Sequence, residues 1–169
     1  MTAKIVLLNG VGSAGKSSIA RALQTIATEP FLHVQMDAFI DMLPPALQDH
    51  ADGFSFETVL EDGKPSVVIR SGPVGARAMR GMRHAIAAMA GQGNNLIVDD
   101  VFNDEIAEYR MLLSGFDLHL VGVMAPLEVL EAREAARRQA AWPGALAIWT
   151  RPQRHGLRPR SRHQPADAA

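Results

Sequence analysis

No cysteine occurs among the 169 residues, so no disulfide framework, thiolate metal site or cysteine nucleophile enters the argument, and a reducing cytoplasm suits the chain. Long apolar runs are missing too. Nowhere does the sequence reach the roughly 18 uninterrupted apolar residues of a bilayer-spanning helix, which argues against membrane insertion. The opening MTAKIVLLNG places one Lys before a short apolar run that leads into glycines rather than a small-residue cleavage site, so it reads as a first strand and not as a secretory signal. There is no internal repeat. There is also no Asn-Lys-x-Asp segment of the kind that recognises guanine, which leaves adenine as the default base for any nucleotide.

What is present fits one soluble globular unit, with 47% hydrophobic and 21% charged residues in a chain long enough to bury a substantial core. The net charge of -1 conceals an uneven distribution. Residues 1–137 carry 11 basic and 17 acidic groups, whereas residues 138–169 carry six Arg against the single acid Asp167, with four Pro, two His and both Trp. Residues 1–141 are therefore expected to form the folded domain, and 142–169 an atypical basic Pro/Arg-rich tail that is poorly ordered. Such a tail could attract nucleic acid, but its Pro interruptions and lack of an ordered aromatic platform disfavour that partner.

Periodicity organises the domain. Lys4 to Leu8 reads as a strand buried on both faces. Ile19, Ala20, Leu23 and Ile26 share one face of an amphipathic helix over 15–27. Phe31 to Met36 predicts a second strand, and Leu43-Pro44-Pro45 halts any helix begun at Asp37. Residues 48–63 read as irregular, and Ser66 to Arg70 as a short strand or the rim of a pocket. A helix follows over 76–90 with Pro73 near its start, then a strand at 94–100, a helix at 104–114, a strand at 117–124 and a helix at 126–141. This alternation predicts an α/β fold with a central parallel sheet, flanking helices and right-handed crossovers.

Gly10-Val11-Gly12-Ser13-Ala14-Gly15-Lys16-Ser17 matches G-x-x-x-x-G-K-S/T in full, between a predicted strand and a predicted helix. Glycines let the backbone turn its N–H groups inward, and the helix N-terminus adds partial positive charge, so a polyphosphate is held by fixed dipoles. Lys16 is expected to reach the outer phosphates and Ser17 to ligate Mg²⁺, with Ser18 completing the nucleotide-binding set. The simpler alternative is a Gly-rich turn. Asp99 and Asp100 close a strand at its carboxyl end, where ligands bind in open parallel sheets, so one of the two is a candidate to hold Mg²⁺ through water; the alternative is an acidic strand end that caps a helix. Asp37 ends the second strand in the same way. It is the candidate general base for a substrate hydroxyl, or else an ordinary helix N-cap. Asp41, one turn on, reads as solvated.

Arg133 and Arg137 are spaced i, i+4 and share a helix face, either closing as a lid over phosphates or forming a salt-bridged surface with Glu131 and Glu134. His33, His84 and His119 show no ligand spacing and read as partly buried structural histidines. Phe39, Met42, Leu43 and Phe54 are candidates for an apolar acceptor pocket or for core.

With these residues in view the chain resembles the chloramphenicol phosphotransferase family of P-loop kinases. The resemblance rests on Ile5 to Ser18, on Gln35-Met36-Asp37-Ala38-Phe39-Ile40, on Leu96-Ile97-Val98-Asp99-Asp100-Val101-Phe102, and on Val121-Gly122-Val123 with Pro126 to Glu134. It covers roughly residues 3–137 and implies a P-loop NTPase fold and phosphorylation of a small-molecule hydroxyl by ATP with Mg²⁺. Asp37 looks like the family's catalytic base, Arg133 and Arg137 like its lid arginines, and chloramphenicol is the namesake acceptor. A nucleotide, a sugar acid or a sugar nucleotide is the competing acceptor, and a nucleotide-binding protein with little turnover the non-enzymatic alternative. A homo-oligomer is compatible with the reading. Past Arg137 the likeness stops. The family's C-terminal strand and helix look to be missing, leaving an open sheet edge, and the tail composition is what a shifted reading frame in a GC-rich gene would produce.

Overall fold

The computed structural model of the protein describes residues 2–61, 64–101 and 105–140. The tail at 142–169 and Phe102 lie outside the described residues. β1 (Lys4–Asn9) buries Ile5, Leu7 and Leu8 completely, because helices cover both faces of the sheet it joins. The loop 10–15 leads into α1 (Lys16–Ile26), which packs Ala20 and Leu23 on the sheet and leaves Arg21 and Gln24 in solvent. β2 (Phe31–Gln35) runs without a break into α2 (Met36–Asp41), which ends just ahead of the two prolines.

The largest departure from the sequence reading comes next. Residues expected to be irregular form β3 (Phe54–Glu61), which pairs antiparallel with β4 (Lys64–Ser71) from Phe54↔Ser71 to Glu61↔Lys64. The register leaves only the dipeptide Asp62-Gly63 between the strands, a strong hairpin signal when it separates strand-forming runs. The base of this hairpin is tied to α3 (Pro73–Gly91): Gly72 N–H donates to Gly53 O at 2.7 Å and Val74 N–H to Asp52 O at 2.8 Å. Gly75 is required at that junction, since a Cβ there would lie 2.5 Å from Gly53 O.

β5 (Asn95–Asp100), α4 (Ile106–Leu112), β6 (Asp117–Gly122) and α5 (Leu127–Ala140) complete the described chain. The four-stranded sheet is parallel throughout, in the order β2-β5-β1-β6. One face packs on α3 and α4 through residues such as Ile5, Leu7, Met82, Ile86 and Leu113. The other packs on α1 and α5 through Leu8, Ala20, Ile97 and Leu130. Each large aliphatic side chain so buried contributes about 1.5–3 kcal/mol. Among the described residues β6 pairs on one side only and exposes Leu120 (41%) and Val121 (39%). The sheet register sets Leu8 beside both Asp99 and Val121, and Gln35 beside Asp99, so the ends of β1, β2 and β5 open together onto one crevice.

Candidate phosphate-binding site

The loop between β1 and α1 is folded tightly against the residue that follows β6. Val123 N–H donates to Asn9 O at 2.7 Å, and a Cβ on Gly10 would lie 2.3 Å from Val123 O, so only glycine fits there. Ser13 and Gly15 both take left-handed backbone angles, with φ of 58° and 106°. Glycine adopts that region freely, whereas serine is strained in it. Gly15 precedes α1 without any side-chain cap, so the N-terminal end of α1, with its partial positive charge, meets the loop uncapped.

Lys16 is 8% exposed and curls back over this loop, its ammonium donating to Gly10 O at 2.6 Å and Val11 O at 3.1 Å. It also lies 3.6 Å from Asp99 Oδ1, while Ser17 Oγ donates to Asp99 Oδ2 at 2.6 Å. A lysine ammonium, a serine hydroxyl and a carboxylate are thus held together at the carboxyl ends of β1 and β5.

The two neighbouring carboxylates of β5 face opposite ways, since successive strand side chains alternate. Asp99 shares the α1 face and meets Ser17. Asp100 shares the α4 face, where its Oδ2 accepts Tyr109 O–H at 2.6 Å and its Oδ1 accepts Val101 N–H at 2.7 Å. Burial pushes the Asp100 carboxyl above the usual range, against the pull of those two donors, and burial also raises the Tyr109 hydroxyl. Of the two metal candidates, then, only Asp99 is brought to Ser17; Asp100 is engaged with Tyr109 instead.

From α5, Arg133 reaches back to the loop. Its Nη1 donates to Ser13 O at 3.2 Å and Ala14 O at 3.1 Å, and would lie 3.4 Å from a Cβ on Gly15. Arg137 lies one turn further along α5, with its side chain outside the described part. Asp37 stands exposed in the first turn of α2, at the end of β2. β5 separates β2 from β1, so Asp37 is offset from the loop by two strand spacings, about 10 Å.

Other expectations divide. Leu43 and Phe54 are core, at 6% and 3% exposure, while Met42 is open to solvent. His84 and His119 are exposed rather than partly buried. His33 is partly buried, as expected, with its Nε2 atom enclosed 3.8 Å from Asp99 Oδ2. Its proximity to Asp99 arises from strand pairing across the sheet, which spacing along the chain does not reveal. Tyr109 was likewise invisible as the partner of Asp100, because a lone Tyr on a helix carries no motif.

The donor set suits a triphosphate with a divalent cation. Among the described residues no group of three or more His, Asp or Glu is placed to hold a metal. A cation at Ser17 and Asp99 would complete its shell with phosphate oxygens and water, which is how Mg²⁺ is commonly held.

The chloramphenicol phosphotransferase-like family model matches residues 3–155. The chain belongs to that family. The match continues 18 residues past Arg137, where the resemblance read from motifs stops, so family character extends into a stretch that carries no recognisable motif. Two Mycobacterium tuberculosis proteins, each named "Putative O-phosphotransferase", from strains CDC 1551 / Oshkosh and ATCC 25618 / H37Rv, are 33% identical over 148 residues. The alignment takes in 82% of this chain and 66% of each relative, so the chain spans just under two thirds of their length. Among solved structures, a sugar kinase from Janibacter sp. HTCC2649 superposes with a TM-score of 0.55 at 19% identity, covering 90% of this chain and 81% of that one. A gluconokinase from Sinorhizobium meliloti 1021 gives 0.50 at 18%, covering 91% and 78%. These two likenesses show the P-loop kinase fold of the family member.

Proposed function

We propose that this family member is an ATP-dependent phosphotransferase that moves the γ-phosphoryl group of ATP to a hydroxyl of a small molecule. The observation that carries the reading is the convergence of Lys16, Ser17 and Asp99 on the loop 10–17 at the crevice end of the parallel sheet. Family membership supports phosphoryl transfer as the reaction class.

The residues have distinct tasks. Backbone amides of residues 12–17 and the N-terminus of α1 cradle the phosphates. The Lys16 ammonium exchanges the carbonyls of Gly10 and Val11 for the outer phosphates, a short displacement for a flexible side chain. Ser17 and Asp99 would hold Mg²⁺, which neutralises charge on the outer phosphates when bound. Arg133, already against Ser13 and Ala14, is placed to meet negative charge that builds on the transferring group, and Arg137 on the next turn of α5 is its partner. Asp37 takes the proton of the acceptor hydroxyl as that oxygen bonds to phosphorus and the bond to the nucleoside diphosphate breaks.

The acceptor is tested with ATP·Mg²⁺ and a panel: chloramphenicol, a sugar acid, a sugar nucleotide and a nucleoside monophosphate, beside an Asp37→Asn control. Phosphorylated chloramphenicol that disappears with Asp37→Asn is the expected result. Product from another panel member would move the acceptor to that class. Tight ATP binding with no product from any acceptor would leave a nucleotide-binding protein, and product undiminished by Asp37→Asn would remove Asp37 as the base.

A further inference from the structure

Among the described residues, the buried side-chain polar atom left without a hydrogen bond is His33 Nε2. Its imidazole is 12% exposed on β2 and points across the sheet at Asp99, with Nε2 3.8 Å from Oδ2. A neutral imidazole has one N–H and one lone pair, and the tautomer with its proton on Nε2 is the one that suits a facing carboxylate.

Asp99 Oδ2 accepts one hydrogen bond, from Ser17 Oγ at 2.6 Å, and an ionised carboxylate oxygen can accept a second. Closing the gap from 3.8 Å to a normal N–H···O distance takes a shift of about 1 Å. Filling the cradle supplies a reason for that shift. In this structure the Lys16 ammonium, 3.6 Å from Oδ1, draws the carboxylate toward the loop. Once the ammonium follows the phosphates that pull is relieved, and Asp99 is free to re-seat.

We infer that His33 is a positioning residue for Asp99, its Nε2–H closing on Oδ2 when nucleotide and cation fill the cradle, and so fixing the carboxylate that faces the metal. The inference rests on the nucleotide and Mg²⁺ reading above, and its test involves no acceptor. Groups that hold a metal ligand in place from behind typically alter metal affinity or activity about 10–100-fold when removed. The arrangement also leaves the orphaned N–H as a cost of the empty protein that is recovered on loading.

The test measures binding of a fluorescent, non-hydrolysable ATP analogue to the full chain in Mg²⁺ and in EDTA; the ratio of the two affinities is the readout. His33→Leu is expected to cut the Mg²⁺-dependent gain about 10-fold or more while leaving binding in EDTA unchanged. His33→Gln, whose terminal amide reaches near the Nε2 position, should restore most of the gain. In an Asp99→Asn background His33→Leu should change the ratio no further. Equal loss in both buffers, an unchanged ratio, or failure of Gln to rescue would overturn the inference. Should the Leu variant not fold, the shorter His33→Asn against His33→Gln carries the same comparison. Wild-type binding in EDTA with no gain from Mg²⁺ would overturn this inference and leave the nucleotide reading standing, whereas no binding in either buffer would remove both.

Discussion

On the β1 side of β5, Lys16, Ser17 and Arg133 converge on Asp99 and on the carbonyls of Gly10, Val11, Ser13 and Ala14, all within hydrogen-bond or ion-pair reach. On the β2 side, Asp37 stands exposed on a helix of six residues. The contrast follows from the two tasks. A polyphosphate is bound by dipoles that must be fixed beforehand, so its half of the crevice is cross-tied. Under the proposed function the acceptor would meet the exposed side, where residues can change without disturbing the cradle, and a shared fold therefore does not name the acceptor.

Substitutions on the two sides should separate cleanly. Asp37→Asn should lower turnover about 10²–10⁴-fold, the usual contribution of a general base, with nucleotide affinity unchanged. Steady-state rates beside equilibrium nucleotide binding check this; weakened nucleotide binding would mean the two sides are not independent. Lys16→Ala should cost about 10²–10³-fold in turnover and, unlike Asp37→Asn, should also weaken binding of the nucleotide. Arg133→Ala belongs to the same side but acts from outside the loop. A charged hydrogen bond of about 1.5–3 kcal/mol corresponds to a loss of roughly 10–100-fold. That loss should fall on kcat if the guanidinium meets charge only during transfer, and on KM for the nucleotide if it serves the loop.

Much of the cross-tied side was legible in sequence because its requirements are local. Eight consecutive residues set the loop, and the apolar run of β1 and the periodicity of α1 set its flanks. The β2 side was less legible. Ser66 to Arg70 reads as a strand or a pocket rim and lies within β4, whereas Phe54–Glu61 falls in a stretch that reads as irregular although Asp62-Gly63 follows it in sequence. The roles of Asp99 and Asp100 were undecidable from sequence. Alternation says that they point to opposite faces, but which face carries α1 depends on the crossovers, a property of the whole sheet. His33 and Tyr109 are partners by strand pairing and helix packing, contacts with no fixed spacing along the chain.

The smallest effect on catalysis should come from the α4 face of β5, where the same strand serves structure instead. Tyr109 is completely buried, and its O–H donates to Asp100 Oδ2 at 2.6 Å. Tyr109→Phe keeps the ring that packs among Leu113, Met82 and Ile86, but it deprives a buried carboxylate of a donor. Among the described donors Asp100 would then keep the Val101 N–H, and the cost should appear as about 1–3 kcal/mol of stability, measured as a lower denaturation midpoint at unchanged m-value. Turnover of the folded protein should change little, because Asp99 on the opposite face keeps Ser17 and Lys16. A fall in turnover as large as that of Arg133→Ala, with the midpoint unmoved, would instead place Asp100 in the phosphate machinery and break the division between the two faces of β5.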